Sequence, residues 1–179
     1  MSSSFWNNSQ ITITRTVDDL VTIIQEKRSR STAVGCSQVK FIKSLLVAIS
    51  GIDGSGKGYV TEKITTETNR QGLKAIAINI DPWLNPPEQR CSAKNPGEHF
   101  YHHAFAFEDL FEQLIYPLQN QRAIYLKKTL TGQFGIPFEQ IYDFQNVDVI
   151  LLEGIFLFKR NLRENYDIAF CIDCSFETS

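Results

Sequence analysis

Residues 44–59 read SLLVAISGIDGSGKGY, and the two halves of this run carry different messages. The first half, Ser44 to Ser50, is uninterrupted by charge and shows no alternation, the pattern of a strand buried on both faces. The second half, Gly51-Ile52-Asp53-Gly54-Ser55-Gly56-Lys57, matches G-x-x-x-x-G-K, and the residues after it predict a helix over about 57–70 that closes at Gly72. A strand before the glycines and a helix after them is the context that a phosphate-binding loop requires. Glycine lets the backbone wrap closely around phosphates, and the exposed N–H groups of the helix start supply positive potential. Lys57 can reach the outer phosphates as a mobile point charge. The position after the lysine, where Ser or Thr would offer a hydroxyl to Mg²⁺, is Gly58, followed by Tyr59. We therefore expect Gly51 to Tyr59 to bind a nucleoside triphosphate, with direct Mg²⁺ coordination by the loop in question.

Outward from this run, Leu73 to Ile80 (LKAIAINI) predicts a second strand and completes a βαβ unit. Residues 81–103, rich in Pro, Asn and His, read as a long loop. Phe107, Leu110, Phe111, Leu114, Ile115 and Leu118 recur at helical spacing, and 124–146 is ambiguous. Val147 to Leu152 and Ile168 to Ile172 read as two further buried strands. Toward the N-terminus, Val17, Leu20, Val21 and Ile24 predict an amphipathic helix over about 17–28, with Thr16 as its cap. Arg28 to Lys40 reads as a connection. The expected organisation is an extension over 1–40 and a phosphate-binding domain over 41–179.

The 179 residues carry 18 Lys and Arg against 20 Asp and Glu, so net charge gives no reason to expect nucleic acid or an anionic membrane as partner. The start lacks the pattern of an export signal, and four cysteines without one read as reduced thiols in a cytoplasmic protein. His99, His102 and His103 could bind a metal if helical, but acceptor binding suits their segment better. Cys171 and Cys174 have CxxC spacing with no second pair, and read as core thiols.

In open α/β sheets, ligands sit beyond the carboxyl ends of the strands. Asp81 ends the second strand and Glu153 ends VDVILLE, so both are expected at the phosphate-loop edge. A kinase needs a group to orient or deprotonate the acceptor hydroxyl and acids to hold Mg²⁺ and its waters. Asp81 suits the first task and Glu153 the second, with both counted as candidate metal-handling residues. The alternative for Asp81 is turn initiation by Asp-Pro.

ISGIDGSGKG (49–58), IDPWLNP (80–86), AFAFEDLFEQLIYPL (104–118) and DVILLEGIFLF (148–158) together resemble the uridine kinase and phosphoribulokinase-like group of P-loop kinases. The resemblance implies a three-layer α/β P-loop NTPase fold, a mainly parallel sheet of order 2-3-1-4-5, and use of ATP and Mg²⁺. It implies Asp81 as base toward a small-molecule alcohol, most simply a nucleoside, and Glu153 as the acid assisting Mg²⁺. It offers Trp83, His103, Tyr142 and Arg163 as acceptor-binding candidates, Arg163 toward the sugar. The chain departs from that group where a Tyr-Asp pair should be followed by His and Arg. Here Tyr142-Asp143-Phe144 runs almost directly into the next strand. DPWLNP also resembles a segment of pantothenate kinases, so the acceptor stays open between these classes. Glycine after the lysine occurs in adenylate-kinase-like proteins too. A nucleotide-binding module without transfer activity is the alternative of a different class. In the resemblance's strand order, IAFCI at 168–172 becomes an exposed apolar edge, and a fifth strand and an arginine-bearing lid are expected beyond Ser179, which would make this a shortened kinase domain.

Overall fold

The computed structural model describes residues 10–12, 17–33, 43–132 and 134–173. They fall into two compact units. The first runs to Ile78 and resumes at Val147, and the second is Asn79–Asn146.

The first unit is built on a mainly parallel sheet. Its strands are β1 (Gln10–Thr12), β2 (Leu45–Gly51), β3 (Ala75–Asn79), β6 (Val149–Gly154) and β7 (Ile168–Ile172), in the order β1-β7-β2-β6-β3. Every residue from Leu45 to Ser50 and from Val149 to Gly154 is buried, as expected for central strands without alternation. Counting only the four strands expected from the sequence, the order is second-third-first-fourth, as the resemblance implies. Because β6 lies between β2 and β3, the βαβ crossover passes over one strand.

Two expectations about the N-terminal segment need correction. The IAFCI strand is not an exposed edge, because β1 pairs with it in parallel, Gln10 opposite Ala169 and Thr12 opposite Cys171. A three-residue strand leaves too little pattern to read. The N-terminal helix α1 runs over Val17–Ala33, five residues beyond its expected end, so the first part of the supposed connection is helical. Thr16 lies outside the described residues. Leu20, Val21 and Ile24 of α1 join Val47, Ile49, Val149, Leu151, Ile168 and Phe170 of the sheet in one core, with Ile64 of helix α2 (Lys57–Arg70). β1 and α1 are thus part of the unit that carries the phosphate loop.

A partly buried ion pair ties α1 to the residue that precedes β6. Arg28 donates to Asp148 Oδ1 at 2.7 Å and to the Lys43 carbonyl, while Asp148 Oδ2 accepts the Lys74 N–H at 2.9 Å. Removing one member leaves a charge without its partner in a poorly hydrated place. Arg28→Ala is therefore expected to destabilise the fold by about 3 kcal/mol, read as a lowered urea midpoint.

In the second unit, residues 81–103 are not one long loop. They hold a 3₁₀ turn at Asp81–Trp83 and two helices, α3 (Pro87–Arg90) and α4 (Pro96–His103). Each helix starts on a proline, whose fixed φ and missing N–H suit the first helical position. The expected helix runs from Phe107 to Gln121 as α5 (Phe107–Leu110), a π-type stretch at Phe111–Ile115, and α6 (Tyr116–Gln121). The wider turn comes just before Pro117, which cannot donate to a regular ladder. The ambiguous stretch is an antiparallel hairpin, β4 (Ile124–Thr131) and β5 (Pro137–Phe144). Among the described residues, no helix is long and apolar enough to cross a membrane.

Candidate phosphate-binding site

β2 delivers the chain to the loop and α2 takes it away. Gly54 (φ 76°) and Gly56 (φ 79°) adopt left-handed conformations that side chains resist. Gly51 is held for a different reason: a Cβ there would come 2.7 Å from the Ile172 carbonyl and 2.8 Å from Ser55 Oγ. The loop therefore has no room for a side chain where it leaves the strand. Val60 is the first α2 residue bonded back to the N-cap, its N–H meeting the Gly56 carbonyl at 3.1 Å. The N–H groups of Lys57, Gly58 and Tyr59 thus have no acceptor within the helix.

Lys57 opens α2 and folds back over the loop, its Nζ 3.3 Å from the Ile52 carbonyl and 3.5 Å from Asp53 Oδ1. Asp53 is solvent-exposed, so this pair is weak and gives way to a stronger anion. Ser55 Oγ is buried and has no hydrogen-bond partner among the described residues. A buried hydroxyl left unsatisfied inside a glycine-lined loop fits a polar ligand.

Glu153 reaches the same place from β6. Strand alternation puts it on the face of Val149 and Leu151, the face that α1 and α2 cover. Its Cα is level with Ile49, close to where β2 enters the loop. It is 6% exposed, and Oε2 lies 3.5 Å from where a Cβ on Gly58 would stand. A carboxylate thus borders the position at which the loop lacks a hydroxyl. No cluster of three or more His, Cys, Asp or Glu able to hold a metal occurs among the described residues. Any Mg²⁺ would be held chiefly by phosphate oxygens, with Glu153 as the neighbouring acid. The 3.5 Å gap leaves room for a small side chain, so Gly58→Ser is expected to tighten Mg²⁺-dependent nucleotide binding severalfold. Titrations with and without the metal measure this.

Arg163 also belongs to the first unit, in a 3₁₀ turn at Arg163–Asn165. It is exposed, and its Nε donates to the Phe158 carbonyl at 2.6 Å. Two neighbours escaped the sequence reading. Phe156 holds φ 60°, unusual for a side chain that large, and burial pushes the Lys159 amine down. Lys159 Nζ stands 5.7 Å from the Phe156 ring centre. Only the bulky residue's φ marks this turn, which no sequence pattern discloses.

The remaining candidates lie in the second unit. Asp81 does not end the strand: β3 stops at Asn79, and Asp81, one residue further past Ile80, opens the 3₁₀ turn, is exposed, and has its N–H fixed by Asn79 Oδ1 at 2.6 Å. Trp83 and Tyr142 meet inside the unit, Trp83 Nε1 donating to the Tyr142 hydroxyl at 2.8 Å. Burial pushes the Tyr142 hydroxyl up, which keeps it neutral. Lys128 Nζ, also missed from sequence, sits 4.7 Å from the Trp83 ring centre. His103 is exposed at the end of α4, its ring centre 4.5 Å from that of His99. The His99 ring nitrogen Nε2 is 2.8 Å from the Gln89 carbonyl. Burial and Asp173 push the Cys171 thiol up, and Cys174 lies outside the described residues.

No protein-family model matches the chain, and no curated protein sequence matches it. Solved structures match its fold. A protein described as a possible uridine kinase from Bacillus stearothermophilus superposes with TM-score 0.65 at 19% identity, over 88% of this chain and 83% of that one. A fructose transport system kinase assignment from Silicibacter gives TM-score 0.65 at 20% identity, over 92% and 77%. D-glycerate 3-kinase from Cryptococcus neoformans gives 0.56 at 14%, over 79% and 52%. At such identities the shared property is the fold, a P-loop NTPase-like α/β architecture with a mainly parallel sheet and flanking helices.

Proposed function

We propose that the protein is an ATP-dependent kinase that moves the γ-phosphate to an alcohol group of a small molecule, with a nucleoside as the leading acceptor class. The observation that carries this reading is the built loop: left-handed Gly54 and Gly56, Lys57 at the helix start and the unsatisfied Ser55 hydroxyl, with Glu153 beside Gly58. The loop from Gly51 to Tyr59 would hold the phosphates, and Lys57 would neutralise charge on the outer ones. Mg²⁺, when bound, supplies further charge neutralisation on the phosphate oxygens. Glu153 would position that metal's waters. Asp81 would orient and deprotonate the acceptor hydroxyl, with any direct metal contact secondary, and His103 and Arg163 are the exposed candidates for acceptor contact. Trp83 and Tyr142 would shape the acceptor region from within their unit. Phosphoryl transfer depends on placement and charge neutralisation more than on covalent chemistry by the protein, which is what this set of groups can provide.

The test is release of ADP from ATP with uridine, cytidine, pantothenate, ribulose 5-phosphate, fructose and D-glycerate as acceptors. Turnover with any of them supports a kinase and names its acceptor. A folded sample that turns over none of them counts against transfer. One observation favours a second reading: Gly58 removes the hydroxyl through which such loops hold Mg²⁺, as a nucleotide-binding module without transfer could afford. Binding of MgATP with no turnover, unaltered by Asp81→Ala and Glu153→Ala, would establish that module.

A further inference from the structure

α2 buries Thr61, Ile64 and Thr68 against its unit, and Tyr59 lies off that face. Tyr59 is 66% exposed, so its ring adds little to the core. It is the third residue of α2, directly after the phosphate loop, and helical side chains as a rule lean toward the N-terminus, the direction in which the loop lies. One helical turn rises about 5.4 Å, so the ring stands within a nucleotide's length of the loop. Lys63, one turn further on, places Nζ 5.2 Å from the ring centre. That cation takes one face of the ring and adds positive charge beside the phosphate path. Ile52, within the loop itself, is also exposed, so the cradle is flanked by apolar surface that packing does not explain.

We propose that Tyr59, backed by Lys63, is the platform on which the base of the bound nucleotide stacks. The proposal rests on the phosphate-site reading and adds what the loop's backbone cannot provide, a contact to the base. Stacking uses the π-face that every base presents, so it distinguishes a nucleotide from a bare phosphate chain but hardly one base from another. ATP and GTP should both profit from the ring, and inorganic tripolyphosphate should not.

The experiment is equilibrium titration of the full chain with ATP, GTP and tripolyphosphate, repeated for Tyr59→Ala and Tyr59→Phe. Tyr59 serves the phosphates only through its backbone N–H, which alanine keeps, so Tyr59→Ala should weaken ATP and GTP by about 5- to 150-fold, the range that loss of one base–aromatic stack gives, and leave tripolyphosphate within twofold. Tyr59→Phe, which keeps the ring, should bind like the unaltered protein. Equal losses for tripolyphosphate and ATP, no loss at all, or a Phe variant as weak as Ala would overturn the platform while leaving the phosphate site standing. If the unaltered protein binds neither ATP nor tripolyphosphate, the phosphate-site reading fails and the platform with it.

Discussion

Lys57→Met is expected to lower phosphoryl transfer by about 10³-fold, measured as ADP release with the best acceptor. The side chain it removes opens α2 and lies over the loop, its Nζ held, among the described residues, by the Ile52 carbonyl and the exposed Asp53. Neither contact is a strong bond, so the ammonium is available for phosphate. A preformed cation near the transferring group acts where negative charge shifts in the transition state, and methionine keeps the stem while removing the charge. The fold should barely notice, because Asp53 stays hydrated. A urea midpoint within measurement error of the unaltered protein, alongside lost turnover, separates loss of chemistry from loss of structure.

Glu153→Gln is the second large effect, an expected fall of about 100-fold in turnover at fixed Mg²⁺. Gln preserves the shape of a buried side chain on β6 and removes only its charge. If the loop works with Mg²⁺ as proposed, the carboxylate beside Gly58 would carry more of the metal handling than it would in a loop with Ser or Thr there. The loss should therefore be eased partly by raising Mg²⁺, while tripolyphosphate binding measured without metal stays unchanged or improves. A fall in turnover that no Mg²⁺ concentration relieves, together with weakened metal-free binding, would place Glu153 in loop support instead. Combining Glu153→Gln with Gly58→Ser should recover part of the activity, since the new hydroxyl stands close to the lost carboxylate.

The parts of this fold that local pattern controls were readable from sequence. β2, the loop and α2 follow one another within one stretch, and each is dictated by its own residues: unbroken apolar strand, glycines at positive φ, helix with Lys57 at its start. β6 and β7 were readable for the same reason. What was not readable depends on distant partners. Nothing between Arg28 and Ala33 signals a helix, but Arg28 has a half-buried partner in Asp148, 120 residues away. β1 exists only because β7 offers it an edge. The hairpin of β4 and β5 is masked because Lys128, on the inner side, pairs its charge with Asp109 at 3.2 Å and lies over Trp83. Of the candidate site, the residues of the glycine loop were legible in the sequence, but not how they are held. That Gly58 borders Glu153, or that Trp83 and Tyr142 bond to each other, appears only once strands and turns are in place.

Whether the Gly51–Tyr59 loop holds a nucleoside triphosphate is read by titration calorimetry of the full chain with ATP in the presence of Mg²⁺. One ATP should bind per chain, with binding weakened at least tenfold in Lys57→Met at unchanged fold. No heat of binding to a folded sample, or an affinity that Lys57→Met leaves untouched, would contradict it.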